Sequence, residues 1–147
     1  MEEIEHVEIL LVEDNPLDAE LSMRGLQSAK LFNRIIWLKD GQEALDYVYC
    51  RGAYAQRAAA LPGLILLDLK MPRVDGLEVL ATLKGDPETK SIPVVVMTSS
   101  QEEKDVVKSY DLGANSYVVK PVNFEDLTEV ARQAGMYWLA INHRAGN

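Results

Sequence analysis

The sequence predicts a doubly wound α/β fold, in which one parallel sheet is covered by helices on both faces. Short apolar runs alternate with amphipathic stretches along the whole chain. Several of the apolar runs are continuous, as is typical of parallel strands that are buried on both faces. Five runs and five amphipathic stretches in strict alternation favour parallel strands joined by crossover helices.

The predicted strands cover residues 7–12, 34–38, 64–68, 92–98 and 116–120. The third of them is the run LILL, which ends at Asp68. A carboxylate is costly to bury unless another group pairs or coordinates it. Taken alone, Asp68 is most simply a solvated strand end or a helix cap.

Capping patterns predict where the helices begin and end. The predicted helices cover about residues 16–30, 40–50, 76–85, 100–112 and 123–143, and residues 51–62 are predicted to be a loop or a frayed extension of the second helix. Asn15 before Pro16 is a typical N-cap followed by a first helical residue, and Ser100 with Glu103 has capping-box spacing. Other caps are predicted at Asp40, Gly85, Gly113 and Asn123. The first helix is predicted to bury Leu17, Leu21 and Leu26.

Composition and charge disfavour several classes of function. The 147 residues suffice for one domain, and 48% of them are hydrophobic, as is ordinary for a soluble protein. The net charge of −8 disfavours binding to nucleic acid or to an anionic membrane. No apolar run approaches the roughly 20 residues that span a bilayer, and the acidic start MEEIEHVE is unlike a secretion signal. We therefore expect one cytoplasmic domain over residues 1–147.

Charged and hydroxyl side chains follow four of the predicted strands. The first strand is followed by Glu13 and Asp14, and the others end at Asp68, Thr98 and Lys120. Ligand sites of doubly wound sheets lie at the carboxyl ends of the strands, so we expect these side chains to converge. Three converging carboxylates repel one another unless a hard cation such as Mg²⁺ lies between them. Lys120 and Thr98 would then flank a space beside Asp68 that can hold an anion.

This set resembles the receiver domain of two-component response regulators, over nearly the whole chain. The resemblance rests on Glu13–Asp14, Asp68 with MPRVDG at residues 71–76, Thr98–Ser99, Gly113–Ala114, Tyr117 and Lys120–Pro121. It implies a five-stranded flavodoxin-like sheet of order 2-1-3-4-5. It also implies that Asp68 accepts a phosphoryl group from a partner sensor histidine kinase.

The resemblance further implies a metal site. Glu13, Asp14, Asp68 and the backbone carbonyl of Lys70 would hold Mg²⁺ or Mn²⁺. Glu13 stands where many members of the family have aspartate, and its longer side chain would route its metal contact through water.

The resemblance also assigns residues at the same edge of the sheet to binding the phosphoryl group and to the conformational switch. Thr98 and Lys120 would bind the phosphoryl oxygens, beside Ser99, which stands where alanine is frequent in the family. Thr98 and Tyr117 would act as the switch, with the tyrosine ring turning inward as Thr98 moves. A cis peptide bond is expected between Lys120 and Pro121.

The remainder of the chain indicates how a signal would leave the domain. Too few residues follow Pro121 for a DNA-binding domain, so we expect a stand-alone receiver whose output is contact with other proteins. The loop at residues 51–62 and the segment GMYWLAIN resemble the small response regulators that partner bacterial and cyanobacterial phytochromes.

The last helix is predicted to form a homodimer, together with the fourth helix and the fifth strand. Leu127, Ala131, Ala134 and Trp138 recur at helical spacing and would face the protein's own core. The predicted dimer contacts are Val130, Tyr137, Trp138 and Ile141. A helix end that is apolar on every side cannot be covered by one small domain.

Two other functions use the same kind of sheet. A phosphatase of the haloacid dehalogenase type has an aspartate nucleophile after a strand and needs a second aspartate two residues later, where this chain has Lys70. A flavodoxin-like electron carrier needs a hydroxyl-rich phosphate loop after the first strand, where this chain has EDNPLD. Both patterns fit less well than the receiver pattern.

Overall fold

The computed structural model describes residues 8–29, 34–58 and 60–138. Within these ranges strands and α-helices alternate, with one short 3-10 helix at Gly52–Tyr54. The strands are β1 (Glu8–Val12), β2 (Arg34–Leu38), β3 (Leu64–Leu67), β4 (Val94–Thr98) and β5 (Ser116–Val119). The helices are α1 (Pro16–Ala29), α2 (Gly41–Val48), α3 (Gly76–Gly85), α4 (Glu103–Asp111) and α5 (Phe124–Met136). None of the helices in these ranges has the length and apolar character needed to cross a membrane.

The five strands form one parallel sheet of order β2-β1-β3-β4-β5. Leu10 in β1 stands opposite Ile36 of β2 on one side and Ile65 of β3 on the other. The order therefore reverses direction at β1 and β3, and such a point is where doubly wound sheets bind their ligands. The predicted fold class and strand order are confirmed.

Alternate residues of the strands face two separate hydrophobic cores. One core packs under α2 and α3 and includes Leu10, Val12, Ile65, Leu67, Val94 and Val96. The other packs under α1 and α5 and includes Ile9, Leu11, Leu64, Leu66, Val95 and Met97. Full burial of such a side chain contributes about 1.5–3 kcal/mol, so both faces stabilise the sheet. The ends of the strands are thereby held rigidly where the polar residues follow.

Helix caps agree with the sequence in most places. The side chains of Asn15, Asp40, Asp75 and Asn123 each accept a hydrogen bond from the backbone N–H three residues later, at 2.8–3.0 Å. Each such bond satisfies one of the free N–H groups at a helix start. Helix α3 ends at Gly85, as predicted. Gly113, at φ 107°, follows α4 in a conformation that favours glycine.

Helix α4 begins later than the capping pattern indicated. It starts at Glu103, after Glu102, whose side chain makes no capping hydrogen bond. The hydroxyl of Ser100 donates to Asp105 Oδ2 at 2.5 Å, and it accepts a 3.4 Å bond from the Glu102 N–H. The serine therefore ties the loop before α4 to the first turn of the helix, and it lies outside the helix.

The prediction that Leu17 is buried is wrong, since its side chain is 45% exposed. Leu21 and Leu26 are buried as predicted. The buried side of α1 includes Ser22. Leu17 lies five residues earlier, and at about 100° per residue this turns it well away from that side.

Two glycines let backbone segments approach one another closely. A Cβ at Gly76 would lie 2.1 Å from the carbonyl oxygen of Asp68, so only glycine lets α3 start against this strand end. A Cβ at Gly25 would lie 2.0 Å from the carbonyl oxygen of Thr128, where α1 contacts α5.

Candidate functional site

The polar residues that follow the strands lie at one edge of the sheet. The Asp68 N–H donates to the carbonyl of Val12 at 3.0 Å, which sets Asp68 beside the end of β1. The Lys120 N–H donates to the carbonyl of Thr98 at 2.7 Å, which continues the pairing of β4 with β5. The strand ends that carry the predicted site residues are therefore fixed by backbone hydrogen bonds.

Three carboxylates converge at this edge. Oxygens of Glu13, Asp14 and Asp68 all lie within 4.8 Å of one another. Glu13 and Asp68 are buried, and Asp14 is exposed. Oxygens on opposite sides of a Mg²⁺ ion are about 4 Å apart, so these three carboxylates are close enough together to reach one ion. An all-oxygen set of this charge fits Mg²⁺ or Mn²⁺, which prefer carboxylate and water ligands.

Lys120 supplies the positive charge of the site. Its Nζ donates to Asp68 Oδ2 and to Asp18 Oδ2, at 3.0 Å each, and also to Glu13 Oε1. The Lys120 side chain is only 7% exposed. A buried lysine is tolerated because the carboxylates around it compensate its charge.

The electrostatics of this cluster shift the pKa values of two groups. Burial, and next the negative charge of Asp68, raise the pKa of Glu13 to about 8, against the opposing effect of Lys120. Burial alone would lower the pKa of Lys120, but its hydrogen bond to Glu13 and the charge of Asp68 outweigh burial and raise it. Lys120 is therefore charged at neutral pH, and burial beside Asp68 favours the protonated form of Glu13.

The predicted phosphoryl-binding and switch residues lie around the end of β4. Thr98 is fully buried, and Ser99 beside it is exposed. The Tyr117 hydroxyl donates to the backbone carbonyl of Ser100 at 3.0 Å, and its ring packs partly against the core under α2 and α3. The tyrosine thus contacts the loop that follows Thr98, at Ser100, which is two residues after the threonine.

An open cleft of about 510 Å³ adjoins Asp14. It is lined by Asp14, Leu69, Lys70, Met71, Pro72, Asp75, Leu77 and Asp105. The Lys70 side chain is exposed, as expected if only its backbone contributes to the site. Arg73 in the same loop has φ 66°, and its guanidinium pairs with Asp40 Oδ2 at 2.5 Å. The loop after Asp68 is therefore held against the start of α2.

The cis peptide bond expected between Lys120 and Pro121 is not found, since all peptide bonds in the described ranges are trans. The trans form of a bond before proline is favoured by about 0.5–1 kcal/mol, so the surroundings must reverse this preference for a cis bond to form.

The structure describes most of the predicted dimer contacts. Tyr137 is 49% exposed, whereas Val130 and Trp138 pack partly against the protein's own core under α1 and α5. The ring centroids of Tyr137 and Trp138 lie 5.2 Å apart in an edge-to-face contact. Ile141 lies outside the described residues.

Sequence reasoning missed two residues that contact the site. Asp18 binds Lys120, and its only signal in the sequence is a spacing of four residues after Asp14. Trp37 donates its Nε1–H to the carbonyl oxygen of Glu13 at 2.7 Å. No local pattern predicts the hydrogen bond from Trp37 to Glu13, because it joins residues at the ends of two different strands.

Comparison with known proteins shows which family this chain is similar to. The model of the family described as response regulator receiver domain matches residues 9–132. The probable methanogenesis regulatory protein FilR2 of Methanothrix harundinacea (strain 6Ac) is 42% identical over 138 residues, which cover 94% of this chain and 87% of FilR2. Response regulator Rcp1 of Synechocystis sp. (strain ATCC 27184 / PCC 6803 / Kazusa) is 41% identical over 131 residues, which cover 89% of this chain and 88% of Rcp1.

Solved structures show the same similarity. The Mn²⁺-bound form of Rcp1 has a TM-score of 0.87 at 38% identity, covering 95% of this chain and 99% of the other. The phosphorylated cyanobacterial phytochrome response regulator RcpA has a TM-score of 0.89 at 39% identity, covering 97% of this chain and all of the other. Receiver domains bind Mg²⁺ or Mn²⁺ in an acidic pocket, and Glu13, Asp14 and Asp68 form such a pocket here. The chain belongs to the response regulator receiver domain family.

Proposed function

We propose that Asp68 is the phosphoacceptor of this receiver and that a partner sensor histidine kinase supplies the phosphoryl group. The observation that carries the proposal is the place of its carboxylate, within 4.8 Å of the Glu13 and Asp14 oxygens and 3.0 Å from Lys120 Nζ. A carboxylate oxygen attacks phosphorus, the bond from phosphorus to the kinase imidazole breaks, and the imidazole leaves with its electron pair. The product is an acyl phosphate on Asp68.

The surrounding residues have separate tasks in this transfer. Glu13, Asp14, Asp68 and the Lys70 carbonyl would hold the metal, which when bound would draw negative charge off the phosphoryl oxygens. Lys120 offers a fixed positive charge to the same oxygens, and Thr98 with its hydroxyl binds one of them after transfer. Ser99 is small and exposed, so it leaves the phosphoryl group accessible.

The output of this receiver is contact with other proteins. Large apolar side chains on α4, on β5 and at the start of α5 are exposed, namely Val107, Tyr110, Val119, Val122 and Phe124. Tyr117 links this face to the site through its hydrogen bond to the Ser100 carbonyl. Movement of Thr98 toward the phosphoryl group would displace that loop and with it Tyr117.

We propose that the same face, with α5, forms a homodimer. Exposed Tyr137 at the end of α5 would contact the partner copy, together with Val130 and Trp138, which pack only partly against the protein's own core. Light scattering across concentration, with and without phosphorylation, tests this proposal. A strictly monomeric protein in both states at high micromolar concentration would contradict it.

We also propose that the kinase is of the phytochrome type and that the exchange takes place in the cytoplasm. The support is the similarity to RcpA, a cyanobacterial phytochrome response regulator, and to Rcp1. Phosphotransfer profiling against the histidine kinases of the organism tests the partner. A kinase without a phytochrome module that transfers fastest would contradict this choice.

The direct test is incubation with acetyl phosphate and Mg²⁺, followed by intact-protein mass spectrometry. The parent chain should gain one phosphoryl group, and Asp68→Asn should gain none because an amide is a far poorer nucleophile. Asp111→Asn makes the same change at an exposed aspartate on α4 and should behave as the parent. Undiminished phosphorylation of the Asp68→Asn variant would refute the proposal.

The same experiment separates the receiver from an enzyme. A receiver catalyses only its own phosphorylation and dephosphorylation, so it should not turn over phosphomonoesters. Steady turnover of several phosphomonoesters would instead support an aspartate-dependent phosphatase.

A further inference from the structure

We propose that Asp18 is a positioning residue for Lys120, which it holds at the site through the whole phosphorylation cycle. This inference rests on the proposed function of Asp68. Asp18 lies in the first turn of α1, and its N–H donates to Asn15 Oδ1 at 3.0 Å. The helix cap therefore fixes the backbone from which the Asp18 carboxylate extends.

The three donors of the Lys120 ammonium are all occupied. One N–H is directed to Glu13, one to Asp68 and one to Asp18, the last two at 3.0 Å. An ammonium group has three N–H donors, so no further acceptor can bind unless one of these carboxylates is released. The Asp18 side chain is 28% exposed, more than either of the other two partners.

Two of these three carboxylates change partners in the proposed reaction. Glu13 would turn toward a bound metal ion, and Asp68 would become the acyl phosphate. Asp18 is outside the set of oxygens that converge for a metal, which consists of Glu13, Asp14 and Asp68. It is therefore the partner that can hold Lys120 both before and after transfer.

A lysine needs such a partner because its four-carbon stem is flexible. With Asp18 in place, one N–H stays on the carboxylate while another is passed from Asp68 to a phosphoryl oxygen. Without Asp18, the ammonium is less well located when the phosphoryl group arrives, and transfer should slow.

The negative charge of Asp18 has an opposite effect that an experiment must separate. A carboxylate near the site repels an incoming phosphoryl group, and removing it would speed transfer. Asp18→Asn keeps an acceptor oxygen for Lys120 without the charge, whereas Asp18→Ala removes both. Positioning predicts a slow alanine variant and an asparagine variant close to the parent. Repulsion alone predicts that both variants are faster.

The test measures the phosphorylation rate with acetyl phosphate at saturating Mg²⁺. Asp18→Ala should be about tenfold slower, the lower end of what one hydrogen bond to a charged group contributes. Asp18→Asn should lie within about threefold of the parent, because the ammonium still donates a charge-assisted hydrogen bond, now to a neutral amide oxygen. Glu20→Ala, which removes an exposed carboxylate on the same helix, should match the parent. Circular dichroism and the unfolding midpoint confirm that each variant is folded.

A double-mutant cycle with Lys120→Ala distinguishes positioning from a structural role. If Asp18 acts through the lysine, Asp18→Ala should not slow the Lys120→Ala protein further. Independent, multiplicative losses would overturn the inference, as would an Asp18→Ala rate equal to the parent rate. If the parent protein gained no phosphoryl group, the proposed function of Asp68 would be wrong. If the parent is phosphorylated and either of these contradicting results is found, only the role of Asp18 is wrong.

Discussion

Replacing Lys120 by alanine should destabilise the metal-free protein, and Mg²⁺ should restore most of the lost stability. The lysine Nζ lies 3.0 Å from Asp68 Oδ2 and from Asp18 Oδ2, and it contacts Glu13. The variant leaves these carboxylates without a cation where the Lys120 and Glu13 side chains are 7% and 3% exposed. The cluster is therefore a set of buried ion pairs. This matters because exposed ion pairs contribute little to the free energy of unfolding.

The expected loss of stability is set by burial. Removing one partner of a buried pair costs about 3–5 kcal/mol. The low end, about 3 kcal/mol, applies here because the Asp18 side chain is 28% exposed, so water partly screens the charges that the variant leaves unpaired. For a chain of this size, that loss lowers Tm by about 6–12 °C.

Urea unfolding with a chelator, and again with saturating Mg²⁺, checks this prediction. An ion at one hundred times its Kd adds about 2.7 kcal/mol to the stability of a one-site protein. The Lys120→Ala variant should gain more from Mg²⁺ than the parent, because in the parent the ion must displace the lysine from Glu13 and Asp68. Lys104→Ala, which removes an exposed ion pair with Glu102, should leave both midpoints unchanged.

The result that refutes this reasoning is a loss of the same size in chelator and in Mg²⁺, or no loss at all. If phosphorylation changes the oligomeric state or the partner affinity of the parent, a phosphorylated Lys120→Ala protein should lack that change. A variant that still shows that change would mean that Lys120 does not couple phosphorylation to the exposed surface of α4, β5 and the start of α5.

Three further predictions concern the backbone and two tyrosines. Gly25→Ala should destabilise the protein by about 2 kcal/mol through overpacking, since its Cβ would lie 2.0 Å from a carbonyl oxygen of α5. Gly85→Ala, with nothing within 4 Å, should be neutral or stabilising, and equal urea midpoints for the two variants would contradict this. Arg73→Gly should be more stable than Arg73→Ala by about 1 kcal/mol. Both variants lose the ion pair with Asp40, but only glycine adopts φ 66° without strain. An alanine variant as stable as the glycine variant would refute this prediction. Tyr47 and Tyr54 should ionise near pH 12, because burial and then hydrogen bonds to carboxylates raise the pKa of both from 10.0 to about 12. The stability that the two tyrosines contribute is present below pH 10 and is lost as the pH rises through 12. An ultraviolet titration of the phenol groups measures the ionisation near pH 12. If this ionisation persisted after both tyrosines were replaced by phenylalanine, the prediction would be wrong.

The strands were predictable because each carries its burial in its own residues. LILL and VVVMT are continuously apolar, and the structure buries every residue of β3 and β4 on two faces of the sheet. The sequence placed β4 two residues too early, at residue 92, and the structure begins it at Val94. A buried apolar run does not by itself indicate at which residue its pairing with the neighbouring strand starts. Ile92 is as buried as the residues of the strand that follows it.

The helix starts were predictable where the cap is local. Asn123 and Asp40 act within three residues, so the pattern and the structure agree. Ser100 has the same spacing to Glu103, yet its hydroxyl donates to Asp105 and its carbonyl accepts from Tyr117. The partner on β5 cannot be inferred from the local pattern, and it holds Ser100 in the loop.

By itself, the sequence determined the alternation of strands and helices, the two-faced burial of the sheet and the polar residues at its carboxyl edge. These properties follow from hydrophobic periodicity and capping, which act over a few residues. Only the tertiary structure decided that Asp18 shares Lys120 with Glu13 and Asp68, and that Tyr117 binds the loop after Thr98. The Asp18–Lys120 contact joins residues 102 positions apart, and its 3.0 Å geometry depends on where the finished fold places the first turn of α1 relative to the end of β5. Local pattern contains no information about such distances, because they arise when two cores pack the helices against one sheet.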